Sequence, residues 1–262
     1  MDIRARDQLT TASDVEALFG HAKKICVLTG AGISQESGVP TFRGPNGLWK
    51  QFRPEDLATP EAFARDPLLV WEWYAWRREL ISRAQPNAAH HALARLEATL
   101  TDAGGRFTVL TQNVDGLHER AGSRNVIRLH GDIWQLRCTA CGAQRQDYSV
   151  PLDPFPPRCA CSAQSPKMMR PGVVWFGEPL PEEAWSRAAD AASCELFLVI
   201  GTSALVQPAA SLPLLAKRAK ARLIEINPDP TPLSAFADAV IPAKAAEFFS
   251  RIGNSAAAAP LE

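Results

Sequence analysis

The chain has 262 residues, 46% of them hydrophobic, enough to bury a sizeable core in one large domain with a smaller insert. Lysine plus arginine equals aspartate plus glutamate, 28 against 28, which argues against a nucleic-acid-binding surface as the main function. No apolar run approaches the roughly 18 residues of a membrane helix. The N-terminal MDIRARDQLT has no apolar core of a secretory signal. A cytoplasmic monomer with reduced thiols is expected, with no membrane or direct nucleic-acid contact.

In chain order, a helix over Asp14–Lys23 precedes an apolar run, Ile25–Thr29 (ICVLT). A helical stretch from about Gly47 to Leu100 follows, with tryptophans at 49, 71, 73 and 76. Two more runs are Phe107–Thr111 (FTVLT) and Val126–Leu129 (VIRL). From about Arg137 to Arg170 there is no long apolar run, but four cysteines and a proline cluster. Helix Pro181–Ala192 leads to the run Leu196–Ile200 (LFLVI), and helix Pro208–Lys220 to Leu223–Ile226 (LIEI). The tail from Asn254 is low in complexity and is expected to fray. Alternating buried strands and helices imply an α/β fold with a doubly wound parallel sheet. The large domain is assigned to 1–46, 101–136 and 171–262. The two regions that break the rhythm, 47–100 and 137–170, form a second, smaller lobe.

Each strand-like run ends in small or polar residues: Gly30-Ala31-Gly32, Gln112-Asn113-Val114-Asp115, His130-Gly131-Asp132, Gly201-Thr202-Ser203 and Asn227-Pro228-Asp229. Ligands of open α/β sheets bind beyond the carboxyl ends of the strands, so five such ends suggest one crevice. Any single one of them reads equally well as a turn. Thr29–Ser34 suits a pyrophosphate, because glycines let backbone amides approach it at a helix N-terminus. The loop is not the dehydrogenase fingerprint, since the position of its third glycine holds Gln35. It continues through Gly38-Val39-Pro40-Thr41-Phe42-Arg43-Gly44, which reads as a cover over a ligand.

Cys138-x2-Cys141 is followed by Cys159-x-Cys161. Four thiolates in two close pairs suit one closed, tetrahedral structural Zn²⁺ that activates no water. Disulfides, or cysteines packed as small hydrophobes, are the alternatives. Cys26 lies within a strand-like run and Cys194 just before one, and both read as core.

These pieces together resemble the sirtuins, NAD-dependent protein-lysine deacylases. The resemblance rests on GAGIS at 30–34, GVPTFRG at 38–44, TQNVDGLHERAG at 111–122 and LHGD at 129–132. It continues in order through the cysteine pairs, RPGVVWFGE at 170–178, GTSALVQPA at 201–209 and INPD at 226–229. It implies a Rossmann-like large domain, a small domain of zinc and helical modules, NAD as co-substrate and one structural Zn²⁺ held by Cys138, Cys141, Cys159 and Cys161. His130 would be the general base that deprotonates a ribose hydroxyl, a task that suits a group titrating near neutrality. Asn113 and Asp115 would contact the nicotinamide ribose and carboxamide, with Gln112 close by. Phe42 would shield the reactive sugar carbon, and Arg43 and Ser34 would help hold the phosphates. Gly201, Thr202, Ser203, Asn227, Pro228 and Asp229 would hold the adenosine half. Gly30, Ala31, Gly32, Pro40, Thr41, Trp49 and Ala245 complete the implied cofactor set. The reaction would transfer the acyl group of an acyl-lysine protein or peptide, giving lysine, nicotinamide and O-acyl-ADP-ribose. The peptide would add as a strand near Val174–Glu178, with Val174 and Phe176 against it.

In Val70–Ile81 (VWEWYAWRRELI), positions 70, 73, 74, 77, 80 and 81 fall on one helical stripe, and Arg77 interrupts its apolar face. A buried guanidinium without an anion is costly. Arg77 either reaches solvent, pairs with a carboxylate such as Glu72 or Glu79, or awaits an anionic ligand. Tyr74-x-x-Arg77 resembles the class III sirtuin signature for succinyl- and malonyl-lysine, Tyr74 donating a hydrogen bond and Arg77 gripping the acyl carboxylate as a planar fork. Pro45-Asn46 departs from that class, which usually has a small alanine there. Other readings are a deacetylase without acidic-acyl preference, a mono-ADP-ribosyltransferase or NAD glycohydrolase using the same pocket, and a zinc-ribbon binding module.

Overall fold

The computed structural model describes residues 19, 22–42, 47–48, 53–162 and 165–256, the side chains of 252–256 excepted. In chain order, β1 (Lys24–Thr29) and the one-turn α1 (Gly32–Gln35) are followed by four helices: α2 (Pro54–Leu57), α3 (Pro60–Arg65), α4 (Pro67–Arg83) and α5 (Ala88–Asp102). Then come β2 (Arg106–Thr111), α6 (Leu117–Arg120), β3 (Val126–Arg128), β4 (Gly131–Cys138), β5 (Gln144–Gln146), β6 (Arg158–Cys159) and β7 (Lys167–Val173). The chain closes with α7 (Glu182–Ala191), β8 (Leu196–Ile200), a 3-10 turn at Ala209–Ser211, α8 (Leu212–Arg218), β9 (Arg222–Ile226), β10 (Ala239–Ile241) and α9 (Ala245–Ala256).

The large sheet is wholly parallel, in the order β10-β9-β8-β1-β2-β3. That is the doubly wound order, with the switch point between β1 and β8. Alternate residues of the strands feed separate cores. Ile25, Val27, Val109, Leu198 and Ile224 face one layer with Ala89, Ala92 and Leu93 of α5 and Phe248 and Phe249 of α9. Cys26, Leu28, Leu110, Phe197, Val199 and Leu223 face the other, with Ala188 of α7 and Leu212 and Ala216 of α8. Both faces are covered, so the strands read as continuous apolar runs.

The smaller lobe has a four-stranded antiparallel sheet, β5-β4-β7-β6, and its own core, in which Trp71, Trp73, Tyr74 and Ile81 of α4 meet Ile133, Leu136, Met169 and Trp175. Asp66 caps α4 by accepting the Leu69 amide at 3.0 Å, with Pro67 in the first turn, where its missing N–H is harmless. Arg78 ties this helix to the sheet. Its guanidinium donates to the carbonyls of Ile133 at 3.0 Å, Asp147 at 2.5 Å and Ser149 at 3.2 Å, and pairs with the Asp147 carboxylate.

Four features differ from the sequence-based expectation. Helix α5, assigned by sequence to the helical insert, packs on the large sheet, because its apolar residues match the face that α9 also covers. The small sheet begins at Gly131 and returns to Val173, so 131–136 and 171–173 pair within it. The expected helix Pro208–Lys220 is split into a 3-10 turn and α8, with Pro213 in the first turn of the latter. The sixth strand, β10, is only three residues long, too short for a periodicity signal. The expected helix Asp14–Lys23 falls largely outside the described residues.

Candidate active site

The parallel register sets Arg128, Thr111, Thr29, Ile200 and Ile226 in one row across the sheet. The residues that follow this row are the candidate site: His130, Gln112–Asp115, Gly30–Gly32, Gly201–Ser203 and Asn227–Asp229. They converge because parallel strands end on one edge. They line a cavity of about 650 Å³ between the large sheet and the smaller lobe, within the range of about 300–1,000 Å³ seen for small-molecule sites.

Of the residues singled out by sequence, the cavity is lined by Gly30, Ala31, Gly32, Ser34, Pro40, Thr41, Phe42, Gln112, Asn113, Asp115, His130, Gly201, Thr202, Ser203, Asn227, Pro228, Asp229 and Ala245. Tyr74, Arg77, Val174 and Phe176 line it from the smaller lobe. Arg43, Pro45, Asn46 and Trp49 lie outside the described residues.

The glycines after β1 and β8 are required by each other. The amide of Gly32 donates to the carbonyl of Gly201 at 2.8 Å. A Cβ on Gly30 would sit 2.7 Å from Cβ of Thr202, and one on Gly32 2.7 Å from Cα of Gly201. The two loops interlock, which leaves backbone as their inner surface.

A buried polar network lies behind these loops. Asn113 Nδ2 donates to the Gly30 carbonyl at 3.0 Å and to Ser34 Oγ at 3.2 Å, and Ser34 Oγ donates to Asp115 Oδ2 at 2.8 Å. Burial pushes the Asp115 carboxyl up from its ordinary value, opposed by the Leu117 amide and Ser34. Gln112 Nε2 donates to Thr202 Oγ1 at 2.9 Å, tying the β2 and β8 loops together. Two histidines to which sequence reasoning gave no role sit beneath. His118 Nε2 lies 3.0 Å from Thr29 Oγ1, and His90 Nε2 lies 3.5 Å from Ser34 Oγ. Desolvation, and then each other's or a neighbouring imidazole, holds His118 down to about 3 and His90 to about 4. Both are neutral at physiological pH. Only their place behind the glycine loop marks them, and sequence spacing does not reveal it.

His130 is half-buried, and its Nδ1 is 3.0 Å from the Gln112 carbonyl oxygen. A carbonyl only accepts, so Nδ1 carries the proton and Nε2 is left with a free lone pair. Burial lowers its pKa, opposed by that hydrogen bond.

The smaller lobe supplies a different chemistry. Arg77 is 8% exposed, and its guanidinium carbon lies 4.8 Å from the Trp73 ring centroid, 4.9 Å from Phe42 and 5.5 Å from Tyr74. Among the described residues no carboxylate pairs with it. Glu79 is taken by Arg83 instead, and Glu72 is exposed. Desolvation lowers the Arg77 pKa, opposed by Tyr74 and Asp115. Tyr74 Oη accepts from Trp175 Nε1 at 2.9 Å, which leaves its own proton to donate. Trp175 is held in turn by Arg170, which donates to both oxygens of Glu178, while Glu178 accepts the Trp175 amide. This clamp shapes the Val174–Gly177 edge of the cavity.

At the far end of β4 the Sγ atoms of Cys138, Cys141, Cys159 and Cys161 lie within 4.8 Å of one another, with Cys138–Cys161 at 3.8 Å and Cys141–Cys159 at 3.9 Å. A tetrahedral zinc with Zn–S near 2.3 Å needs sulfurs about 3.8 Å apart. The four cysteines are placed to bind one zinc ion, with no open position. Cys26 and Cys194 are buried in the core of the large domain.

Residues 30–208 match the model of the Sir2 family. The chain belongs to that family. It is 54% identical over 216 residues to an NAD-dependent protein deacylase of Aquifex aeolicus, covering 82% of this chain and 87% of that one. A crystal structure of a Sir2 homolog–NAD complex is similar at 48% identity with a TM-score of 0.83, over 93% of each chain. A Sir2 variant with a deacetylated p53 peptide and 3′-O-acetyl ADP-ribose is similar at 32% identity and a TM-score of 0.79, over 94% of this chain and 98% of that one. The parallel sheet, small antiparallel lobe and cysteine cluster described above are thus the Sir2 arrangement in this chain. Among the described residues no helix is long and apolar enough to cross a membrane.

Proposed function

We propose that this chain is an NAD-dependent protein-lysine deacylase that prefers succinyl- and malonyl-lysine and removes acetyl groups more slowly. The observation that carries the acyl preference is Arg77, a buried cation facing the cavity with aromatic rings around it and, among the described residues, no carboxylate paired with it. A planar guanidinium takes a carboxylate in a bidentate grip, and the Tyr74 hydroxyl adds a donor beside it. An acetyl group has no terminal carboxylate to fill that grip.

NAD, when bound, supplies the sugar carbon that accepts the acyl oxygen as nicotinamide departs. The interlocked loops at Gly30–Gly32 and Gly201–Ser203 present backbone to its phosphates, and Ser34, its hydroxyl held between Asp115 and Asn113, braces them from behind. Asn113 and Asp115 orient the nicotinamide end, while Asn227–Asp229 and Ala245 wall the adenosine end. Phe42 keeps water from the reacting carbon. His130, protonated at Nδ1, takes a proton at Nε2 from a sugar hydroxyl. The acyl-lysine peptide lies along Val174–Gly177 with its backbone paired as an added strand.

The test is mass spectrometry of matched acetyl-, succinyl- and malonyl-lysine peptides incubated with the protein and NAD. Loss of succinyl and malonyl faster than acetyl, with nicotinamide release dependent on peptide, is expected. Nicotinamide release independent of any acyl peptide would point to a glycohydrolase or ADP-ribosyltransferase instead.

A further inference from the structure

The Arg77 guanidinium is enclosed by rings from two parts of the chain. Trp73 and Tyr74 stand on its own helix α4, whereas Phe42 belongs to the loop that continues from α1 along the cofactor side of the cavity. Trp73 and Tyr74 meet edge to face at 4.9 Å, and the Trp175 hydrogen bond pins Tyr74. Such faces attract a cation without consuming its N–H donors. A protein carboxylate in the same place would have neutralised Arg77 and closed the site to an anionic ligand.

We propose that Trp73 and Phe42 are specificity-determining residues. Together they cage the Arg77 guanidinium, and through Phe42 the cage couples recognition of an acidic acyl chain to the NAD-binding loop. The inference rests on the reading of Arg77 as the carboxylate grip. Phe42 is one wall of the guanidinium site and also lines the candidate cofactor cavity, so a change in its position is felt at both. Binding linkage is reciprocal, so an acyl carboxylate seated on Arg77 and NAD seated beside Phe42 change each other's affinity by the same factor. An acetyl group does not reach this coupling.

The experiment measures kcat/KM on matched succinyl- and acetyl-lysine peptides for the wild type, W73F, W73L, F42L and R77M, together with the apparent KM for NAD on each peptide. W73F keeps an aromatic face and retains the succinyl-to-acetyl ratio. W73L and F42L lower that ratio by about 3- to 30-fold, the range of a desolvated cation–π contact. In F42L the apparent KM for NAD rises more with the succinyl than with the acetyl peptide. Deacetylation serves as the folding control for W73F, W73L and R77M, and a thermal melt serves for F42L, whose ring also has a part in the common reaction. An unchanged ratio in W73L and F42L, with R77M still selectively losing desuccinylation, overturns the cage and leaves the carboxylate grip standing. A ratio unchanged in R77M as well overturns both.

Discussion

His130 Nδ1 lies 3.0 Å from the carbonyl oxygen of Gln112, the residue that follows β2. A strand end of the large sheet thereby sets the tautomer of the histidine at the next strand end, and hence which nitrogen is basic. His130→Asn should lower kcat about 10²- to 10⁴-fold, the usual worth of a general base, without matching loss of NAD affinity. Because burial depresses its pKa, activity should persist below the ordinary histidine range before the acid limb sets in. A kcat/KM–pH profile and NAD binding by calorimetry read the two effects; an equal loss in both would contradict the assignment.

Arg77 and Arg78 are neighbours with opposite duties. Arg78→Met leaves three carbonyls and Asp147 of the smaller lobe without their donor, and should cost on the order of 3–5 kcal/mol of stability. Arg77→Met removes a buried cation that no carboxylate among the described residues pairs with, and should cost little stability while removing the acidic-acyl preference. Urea unfolding beside acyl-peptide assays separates them.

His90 and His118 make stability depend on pH. Their folded pKa values, about 4 and about 3, lie below the ordinary value of 6.5, so the unfolded chain binds more protons between these limits. Stability is full above the unfolded pKa and falls as pH drops through that window. From pH 7.5 to 5 each histidine should remove about 2 kcal/mol. Asp115, with its raised pKa, acts in the opposite sense. His118→Gln should therefore shrink the difference between denaturant unfolding at pH 7.5 and pH 5 by about 2 kcal/mol. An unaltered difference would show that His118 does not titrate on unfolding.

The zinc site should be separable from the chemistry. Cys141→Ser, or a strong chelator, should abolish stoichiometric zinc and loosen the β5 and β6 end of the small sheet, because thiolate ligands hold it where apolar burial is sparse. Metal analysis should give one zinc per wild-type chain. Hydrogen exchange should show β5 and β6 opening while β1, β2 and β8 stay protected.

Gly30→Ala tests the interlocked loops. Its Cβ would meet Thr202 Cβ at 2.7 Å and the Gly201 carbonyl oxygen at 2.8 Å, forcing the β1 and β8 loops apart. Overpacking of this kind costs about 1–3 kcal/mol, and NAD affinity should fall with the melting temperature. Isothermal titration and a thermal melt decide it.

The sequence by itself determined the features that rest on local pattern. Runs such as ICVLT and LFLVI become strands because both faces of a parallel sheet are buried, and the residues after them become a site because parallel strands end together. The cysteine spacing likewise held the metal site, since four short-range thiols suffice to define it. Tertiary structure alone decided the questions of partnership. It turned Glu79 to Arg83 and Glu72 to solvent, so that among the described residues no carboxylate pairs with Arg77, and set the His130 tautomer through Gln112. It also buried His118 behind Thr29 and moved α5 onto the large sheet. Burial and hydrogen-bond choice depend on atoms brought together from distant positions, and no local periodicity encodes which of several possible partners arrives first within 3 Å.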